Sequence, residues 1–528
     1  MIELGVDTGG THVDLILRGT GPRPVLHKLA VLRGREADAT VRGTAELCEL
    51  AGIQPSQIDM IVHGTTVATN ALLEYKGAVT GLITTKGFRD ILHIGRHQRP
   101  QNFSLMQDIV QQKWPLVQRR HRIGVTERIG PPGIVVTPLN EDEVREAART
   151  LGAAGVESIA ICFLFAFLDP QHERRAGEIV REELPGVEVS LSSEVIAQFR
   201  EYERFTTTAA NAFLRPKTRG YLEELRDGWR SLGVTGPIYV MQSNGGLATV
   251  DEACARPVRL LLSGPAAGVI AANALGTALD FSHLISLDIG GTSADIAVIP
   301  GKLLEQNMQD SVVGGYPILS PKLDVTSIGA GGGSVAWVDE GGRFNVGPRS
   351  AGSVPGPACY ANGGQEAAVT DAHVVLGRMD PGAFLGGRRQ LDQGLALEAV
   401  TRIADHFGMT AKDAAVAILR IMNANMVKEI RQHSIRRGYD PRRCALVPFG
   451  GAGPLHGCEI AEEFDIPAIL YPPAPGITSA GGLLQSDLRT DIVRTVGMAL
   501  DTGDWAALGP MYEEIETELQ ARLDVTMD

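Results

Sequence analysis

The chain of 528 residues has no C-x-x-C pair, and its six cysteines (Cys48, Cys162, Cys254, Cys359, Cys444 and Cys458) stand far apart. Cysteines scattered in this way supply neither a disulfide framework nor a thiolate metal site, and they fit a reducing compartment. Long apolar runs are lacking too. The longest, residues 158–168, falls far short of the roughly 20 residues that a bilayer-spanning helix requires. There is no basic excess: 49 Lys and Arg stand against 62 Asp and Glu, for a net charge of −13. An acidic chain offers no positive face to nucleic acid. The N-terminus enters directly into a predicted strand, residues 2–7, with no leader pattern before it. The expectation is a cytoplasmic protein that engages neither membrane nor nucleic acid.

What the chain has in quantity is glycine. Its 62 glycines cluster in motifs rather than in low-complexity tracts, as close backbone approach to a ligand requires. The chain is organised around residues 284–299, where Leu287-Asp288-Ile289-Gly290-Gly291-Thr292-Ser293-Ala294-Asp295 reads as strand, tight glycine turn and returning strand. Alone, this is either an ordinary Gly-Gly hairpin or a phosphate cradle in which successive N–H groups converge on an anion. Asp288 at the strand end would hold the water shell of a magnesium ion or orient an attacking group.

The same pattern recurs in register near the start, as Val6-Asp7-Thr8-Gly9-Gly10-Thr11-His12-Val13-Asp14. Asp7 matches Asp288, Gly9 and Gly10 match Gly290 and Gly291, Thr11 matches Thr292, and Asp14 matches Asp295. Two such hairpins predict two related α/β halves that face one nucleotide across a cleft.

Between the hairpins, strands are predicted to alternate with helices, which argues for an α/β architecture. Helices are expected at 36–51, 86–92, 139–154, 170–184 and 201–232, the last bent or broken by Pro216. Strands are expected at 59–63, 79–84, 157–167 and 237–242. Thr65 and Thr66 either cap the helix that follows or, with Asn70, serve a substrate. Arg96 and Arg99 read as a clamp for a carboxylate or phosphate, or as a solvated loop. His93 and His97 have the i, i+4 spacing of zinc ligands without an evident third. Ser263 is expected to cap a helix of small residues.

Further on, the glycine run 328–334 suggests a turn that hugs a ligand, and residues 347–360 are expected to be irregular. Cys359 is either a reactive thiol or a small buried residue, and Asp371 is a cap or a site carboxylate. Helices are expected at 394–406, 411–437 and 477–488, with an acidic one at 507–523. Residues 443–457 read as strand, glycine loop (Gly450, Gly451, Gly453) and helix, a geometry that seats a base or sugar. His456, on that helix, either meets the ligand or sits on the helix surface.

With these motifs in view, the chain resembles the hydantoinase A/5-oxoprolinase family, which includes ATP-binding subunits of acetone carboxylase-type enzymes and of ATP-dependent lactamases. The resemblance implies the duplicated actin/hexokinase/Hsp70-like (ribonuclease H-like) two-domain ATPase fold, here divided as 1–200, 201–495 and a C-terminal start, 496–528. It implies that Asp7, Gly9, Gly10 and Thr11 form one phosphate hairpin and Gly290, Gly291, Thr292 and Ser293 the other. Gly450, Gly451 and Gly453 would lie against adenosine. Asp7 and Asp288 would hold Mg²⁺ through water or orient the group attacking the γ-phosphate, with Asp295 on the returning strand completing the catalytic carboxylates. Family members usually continue into a further C-terminal domain, which makes a fragment or a short form dependent on a partner the expectation.

The activity implied is ATP-dependent ring opening of a cyclic amide such as a hydantoin, 5-oxoproline or a lactam, by phosphorylation of the amide oxygen. Thr65, Thr66, Asn70 and Arg96 are the substrate-side candidates, and a hydantoinase B-type second subunit and an oligomeric assembly are expected. Two other readings stand beside it: an ATP-binding subunit of a ketone carboxylase, and a chaperone-like ATPase switch that small molecules would not stimulate.

Overall fold

The computed structural model describes residues 1–31, 34–97, 103–308, 311–384, 387, 389–498, 501, 503 and 505–527. Arg99 lies outside them.

Two sheets of the same design carry the two hairpins. In the first, Glu3–Thr8 pairs antiparallel with His12–Arg18, which pairs antiparallel with Val25–Ala30. On its other side Glu3–Thr8 pairs parallel with Met60–Thr65, and that strand pairs parallel with Ile238–Met241. Leu247–Thr249 closes the edge, so this sheet takes strands from beyond residue 200. In the second sheet, His283–Ile289 pairs antiparallel with Ala294–Pro300, and that strand with Thr326–Ile328. Ala445–Phe449 and Ala468–Ile469 follow in parallel on the other side. The order of strand directions is the same in both, and this duplication is the actin/hexokinase-like α/β architecture that the repeat predicts.

A third sheet, wholly parallel, runs in the order Glu188–Leu191, Ser158–Cys162, Thr80–Thr85, Arg122–Val125. Its two central strands, Ser158–Cys162 and Thr80–Thr85, are buried along their whole length, as in parallel sheets covered on both faces. The helix Glu201–Ser231 packs across it and continues through Pro216 without a break. At its far end the Trp229 indole N–H donates to Thr44 Oγ1 on the helix Glu36–Ala51 at 3.0 Å.

Between the two hairpin sheets lies a thin seam made by the helices Ser263–Ala278 and Thr478–Leu483. Its core includes Val62, Ala267, Leu284, Val447, Phe449 and Leu483. Each such buried large side chain contributes about 1.5–3 kcal/mol through loss of apolar contact with water. Backbones nearly touch in the seam: a Cβ on Gly5 would lie 2.5 Å from the Ala480 carbonyl oxygen, and one on Gly482 would collide with the Ala267 carbonyl.

Several elements differ from expectation for local reasons. The strand from residue 158 stops at Cys162, because the next backbone donors turn to side chains: Phe163 N–H donates to Glu173 at 2.8 Å and Leu164 N–H to Thr85 Oγ1 at 3.0 Å. Only Ile91–Ile94 is helical in the segment after Thr80–Thr85. Ser263 is not a cap; its hydroxyl donates to the Thr65 carbonyl at 3.2 Å, and Leu262 holds the cap position at φ +63°. The helix expected to reach residue 488 ends at Leu483, since Asp487 and Arg489 pair with the backbone of Leu247. The segment 347–360 is partly regular: Phe344–Ser350 is a strand and Ala358–Tyr360 a short 3-10 turn. Among the described residues, no helix is long and apolar enough to cross a membrane.

Candidate functional site

The two glycine turns have the same backbone. Gly9 N–H donates to the His12 carbonyl at 2.9 Å, and Gly290 N–H to the Ser293 carbonyl at 3.0 Å. The antiparallel register sets Asp7 opposite Asp14 and Asp288 opposite Asp295. Among the described residues, the N–H groups of Gly10, Thr11, Gly291 and Thr292 donate to no acceptor of the chain. Unmatched donors at the surface of a turn are what an anion takes up.

The carboxylates beneath these turns are hemmed in. Burial pushes Asp288 up to about 8, and Asp295, Asp7 and Asp14 add to it by like charge. Asp288 therefore feels charge from both halves. Asp7 is pushed up to about 7 by burial and by Asp14, with Lys28 acting against. Asp295 rises to about 6 through burial, moderated by the Ser327 hydroxyl that bonds it. Carboxylates raised in this way, with Lys28 the cation opposing the rise of Asp7, are short of positive charge. That fits a divalent cation: Mg²⁺ keeps most of its water and needs only one or two carboxylates plus phosphate oxygens.

A third loop completes the arrangement. Ala452 N–H donates to the Ile289 carbonyl at 2.9 Å, which hangs the loop after Ala445–Phe449 on the strand that bears Asp288. Gly453 then opens the helix Gly453–Glu463. A Cβ on Gly451 or Gly291 would meet nothing within 4 Å, and one on Gly10 only the Asn70 amide nitrogen at 3.6 Å. Space beside all three glycines is therefore open.

The run 328–334 packs against the second hairpin. Gly332 N–H donates to the Gly290 carbonyl at 3.0 Å and Gly333 N–H to the Gly291 carbonyl at 2.6 Å. A Cβ on Gly331 would lie 2.8 Å from the Gly291 backbone. The run clamps the second hairpin from behind.

The substrate-side candidates divide. Thr66 N–H donates to the Thr8 carbonyl at 3.2 Å, and the Asn70 amide donates to Thr66 Oγ1 at 3.2 Å, so both stand beside the first hairpin. Thr65 is fully buried, and its hydroxyl accepts from Val67 N–H at 3.2 Å. The Arg96 guanidinium is engaged in a two-pronged ion pair with Glu203.

Other residues that the sequence singled out are structural. His456 is fully buried, with its Nδ1 2.6 Å from Asn423 Oδ1 and its Nε2 3.2 Å from His373 Nε2, and burial pushes it down to about 4. It does not lie on the helix surface. Cys359 is fully buried and its thiol pushed well up by burial and by Asp371, so it is not a reactive thiolate. The Asp371 carboxylate accepts the N–H groups of Ala358, Cys359 and Ala368, which pins the 358–360 turn. His93 and His97 are exposed, and among the described residues no group of three or more His, Cys, Asp or Glu is placed to hold a metal.

Two residues of the site escaped the sequence reading. Lys28 Nζ lies 2.6 Å from Asp14 Oδ1 and donates to the Gly476 carbonyl at 3.1 Å, so it ties the first hairpin to the segment preceding the seam helix Thr478–Leu483. The signal was sheet register, since Lys28 pairs with Asp14 across the two strands. His12, inside the first motif, is pushed down to about 4 by burial and then by Lys28 and Arg389. It is neutral at pH 7 and bonds Thr11 Oγ1 at 3.0 Å.

With this geometry in view, the comparisons with known proteins take on meaning. The family described as Hydantoinase/oxoprolinase matches residues 204–492, and its N-terminal region matches 3–184. The chain is 37% identical to caprolactamase subunit alpha of Pseudomonas jessenii over 94% of its own length and 72% of that protein's. The crystal structure of that ATP-dependent caprolactamase superposes with a TM-score of 0.85 at 35% identity, covering 99% of this chain and 76% of the other. A nucleotide-free structure of acetone carboxylase superposes with a TM-score of 0.82 at 28% identity, over 99% and 77%. The 5-oxoprolinase of Saccharomyces cerevisiae is 32% identical over 92% of this chain, which spans 41% of that longer protein.

Proposed function

The chain belongs to the hydantoinase/oxoprolinase family, and from that premise we propose that it opens a cyclic amide at the expense of ATP. The observation that carries this reading is the pair of hairpins with identical register, whose aspartates share one electrostatic environment. Relatives named caprolactamase and 5-oxoprolinase support the reaction class.

The amide oxygen of a cyclic amide takes the γ-phosphoryl group of ATP, and ADP leaves. Water then adds to the activated carbon, the ring C–N bond breaks as the nitrogen takes a proton, and a second water cleaves the resulting acyl phosphate to carboxylate and inorganic phosphate. The free N–H groups of Gly10, Thr11, Gly291 and Thr292 would receive the polyphosphate from both sides, and Gly9, Gly290 and Ser293 would hold the turns in shape. Positioning and charge neutralisation provide most of the acceleration in phosphoryl transfer. Asp7 and Asp288 would hold Mg²⁺ through water, and that ion supplies further neutralisation when bound. Asp295 would keep Asp288 oriented across the hairpin. Gly450, Gly451 and Gly453 would line the nucleoside side, and Thr66 and Asn70 would present a hydroxyl and an amide to the substrate. The Lys28 ammonium would balance charge in the first half.

The name caprolactamase subunit alpha describes one subunit of a larger enzyme. A hydantoinase B-type partner would complete the hydrolytic half, in an oligomer in the cytoplasm. A second reading rests on the acetone carboxylase superposition: the same site would phosphorylate a ketone enol or bicarbonate ahead of carboxylation.

Phosphate release from ATP, measured with hydantoin, 5-oxoproline, caprolactam, or acetone plus bicarbonate, separates the two. Stimulation by a cyclic amide is expected. Stimulation by acetone plus bicarbonate alone would transfer the assignment to the carboxylase reading, and no stimulation by any of them, with the partner subunit present, would defeat both.

A further inference from the structure

A cavity of about 1020 Å³ opens away from the hairpins, at one end of the parallel four-stranded sheet. None of the residues 7–11 or 288–293 lines it. Its wall includes Phe165 and Phe167, which follow the strand Ser158–Cys162, and Ser193 and Phe199, which follow Glu188–Leu191. These are carboxyl ends of parallel strands. The strand order sets Thr80–Thr85 between Arg122–Val125 and Ser158–Cys162, so the chain leaves the first of these strands to one side and returns on the other. The cavity lies past the two strands on one side of that reversal and takes no lining residue from the segment just after Thr85; carboxyl ends of parallel strands are where α/β sheets admit ligands.

The charges on the wall are not balanced. Arg259 donates to the Asp491 carbonyl at 3.0 Å, and its nearest carboxylate, that of Glu252, is 4.0 Å away and already engaged by Arg256. Burial, Arg256 and Arg522 together hold the Arg259 guanidinium down to about 10. The acids nearby are shared out: Glu518 lies between Arg494 and Arg522, and Asp491 is bonded by Arg489. Glu194 is exposed to solvent. The buried Ser193 hydroxyl has no hydrogen-bond partner, the kind of orphan that a bound polar group satisfies. Phe165 adopts φ +58°, a conformation aromatic residues rarely take and one that concentrates at ligand sites.

The geometry points to a binding site in this cavity for a small organic monocarboxylate with an apolar body, its carboxylate on Arg259 and the body against Phe165, Phe167 and Phe199. Arg174 on the wall is exposed, whereas Arg259 is a mostly buried guanidinium fork, and one such fork matches one carboxylate. A neutral apolar molecule would leave Arg259 and Ser193 as they are. The inference stands apart from the nucleotide chemistry of the hairpins.

Calorimetric titration of the full chain with hexanoate, hexanamide and inorganic phosphate tests it. Hexanoate is expected to saturate one site per chain, with hexanamide and phosphate weaker by roughly ten-fold or more. Arg259→Gln is expected to weaken hexanoate by roughly ten-fold and Ser193→Ala by a few-fold, with ATP binding unchanged. Should Arg259→Gln lose its cooperative thermal transition, the series from butanoate to octanoate on the unaltered chain decides, since affinity must rise with each CH₂ until the cavity is full. Equal affinity for hexanoate and hexanamide, a flat chain-length series, tighter phosphate, or unchanged hexanoate binding in folded Arg259→Gln would each overturn the proposal.

Discussion

Gly450 stands directly against the carboxylate of Asp288: at φ +81° it brings its backbone so close that a Cβ would collide with Oδ1. Gly64, which pairs with Asp7 in the register where Phe449 pairs with Asp288, would likewise bring a Cβ within 3.0 Å of Asp7 Oδ1. Each half thus gives its carboxylate a neighbour without a side chain. The carboxylates gain a low-dielectric flank, and a ligand gains the other face.

Gly450 and Gly451 are adjacent in sequence and opposite in what they face. Gly451→Val, into open space, is expected to leave the melting temperature within a few degrees and to weaken ATP binding by roughly ten-fold or more. Gly450→Ala forces a side chain into positive φ and onto Asp288, and is expected to destabilise the fold by about 1–3 kcal/mol. Calorimetry and thermal melts read both. Unchanged ATP affinity in Gly451→Val would remove that loop from the nucleoside side.

Asp288→Ala is expected to lower substrate-stimulated phosphate release by roughly 100-fold or more while ATP affinity changes only a few-fold. Loss of affinity in step with turnover would make Asp288 a binding group instead of a group that acts in the transition state.

Stability should carry the mark of the buried carboxylates. Asp7, Asp288 and Asp295 are raised from 3.8 to about 7, 8 and 6. Between pH 4 and about 8 the folded chain therefore holds protons that the unfolded chain has released. Unfolding free energy then falls as pH rises through that window and levels off above it. His12, His63, His373 and His456, lowered from 6.5 by burial, act in the opposite sense but only below pH 6.5. Urea midpoints of the metal-free chain are expected to drop between pH 6.5 and 8, by about 1 kcal/mol of stability. Asp288→Asn should remove most of that drop. A midpoint that rises over the same interval would contradict the assignment.

Lys28→Met removes the cation that offsets Asp7 and Asp14. Turnover is expected to fall by roughly ten-fold or more, and the acidic limb of its pH profile to move upward, because the carboxylates lose a group that favours their charged form. A pH profile displaced downward, or not at all, would mean that Lys28 acts on the fold alone.

How much of this was legible in the sequence depended on range. The hairpins were, because Asp, Gly-Gly, Thr and Asp fall within eight residues and a repeated motif fixes its own register. Helix Glu36–Ala51 was found to the residue because its apolar spacing and the glycine after it are local signals. Lys28 was not found, since its role arises only when a third strand pairs with the second. Of the two alternatives for His456, the surface one fails because the helix Ala411–His433, which covers it through Asn423, comes from far up the chain. Arg96 looked free for a ligand because Glu203 is 107 residues away. The strand at 158 looked longer than it is, since apolar content continued after its hydrogen-bonding neighbours had ended.

The seam between the two hairpin sheets has one more implication. Gly5 meets the Ala480 carbonyl and Gly482 the Ala267 carbonyl with no side chain intervening. The spacing from the first hairpin sheet through Thr478–Leu483 to Ser263–Ala278 is thus a main-chain dimension, which no choice of rotamer can widen or narrow. A single added methyl group there would act as a spacer, pushing the strand that bears Asp7 away from the helix whose Ser479 hydroxyl donates to Asp288.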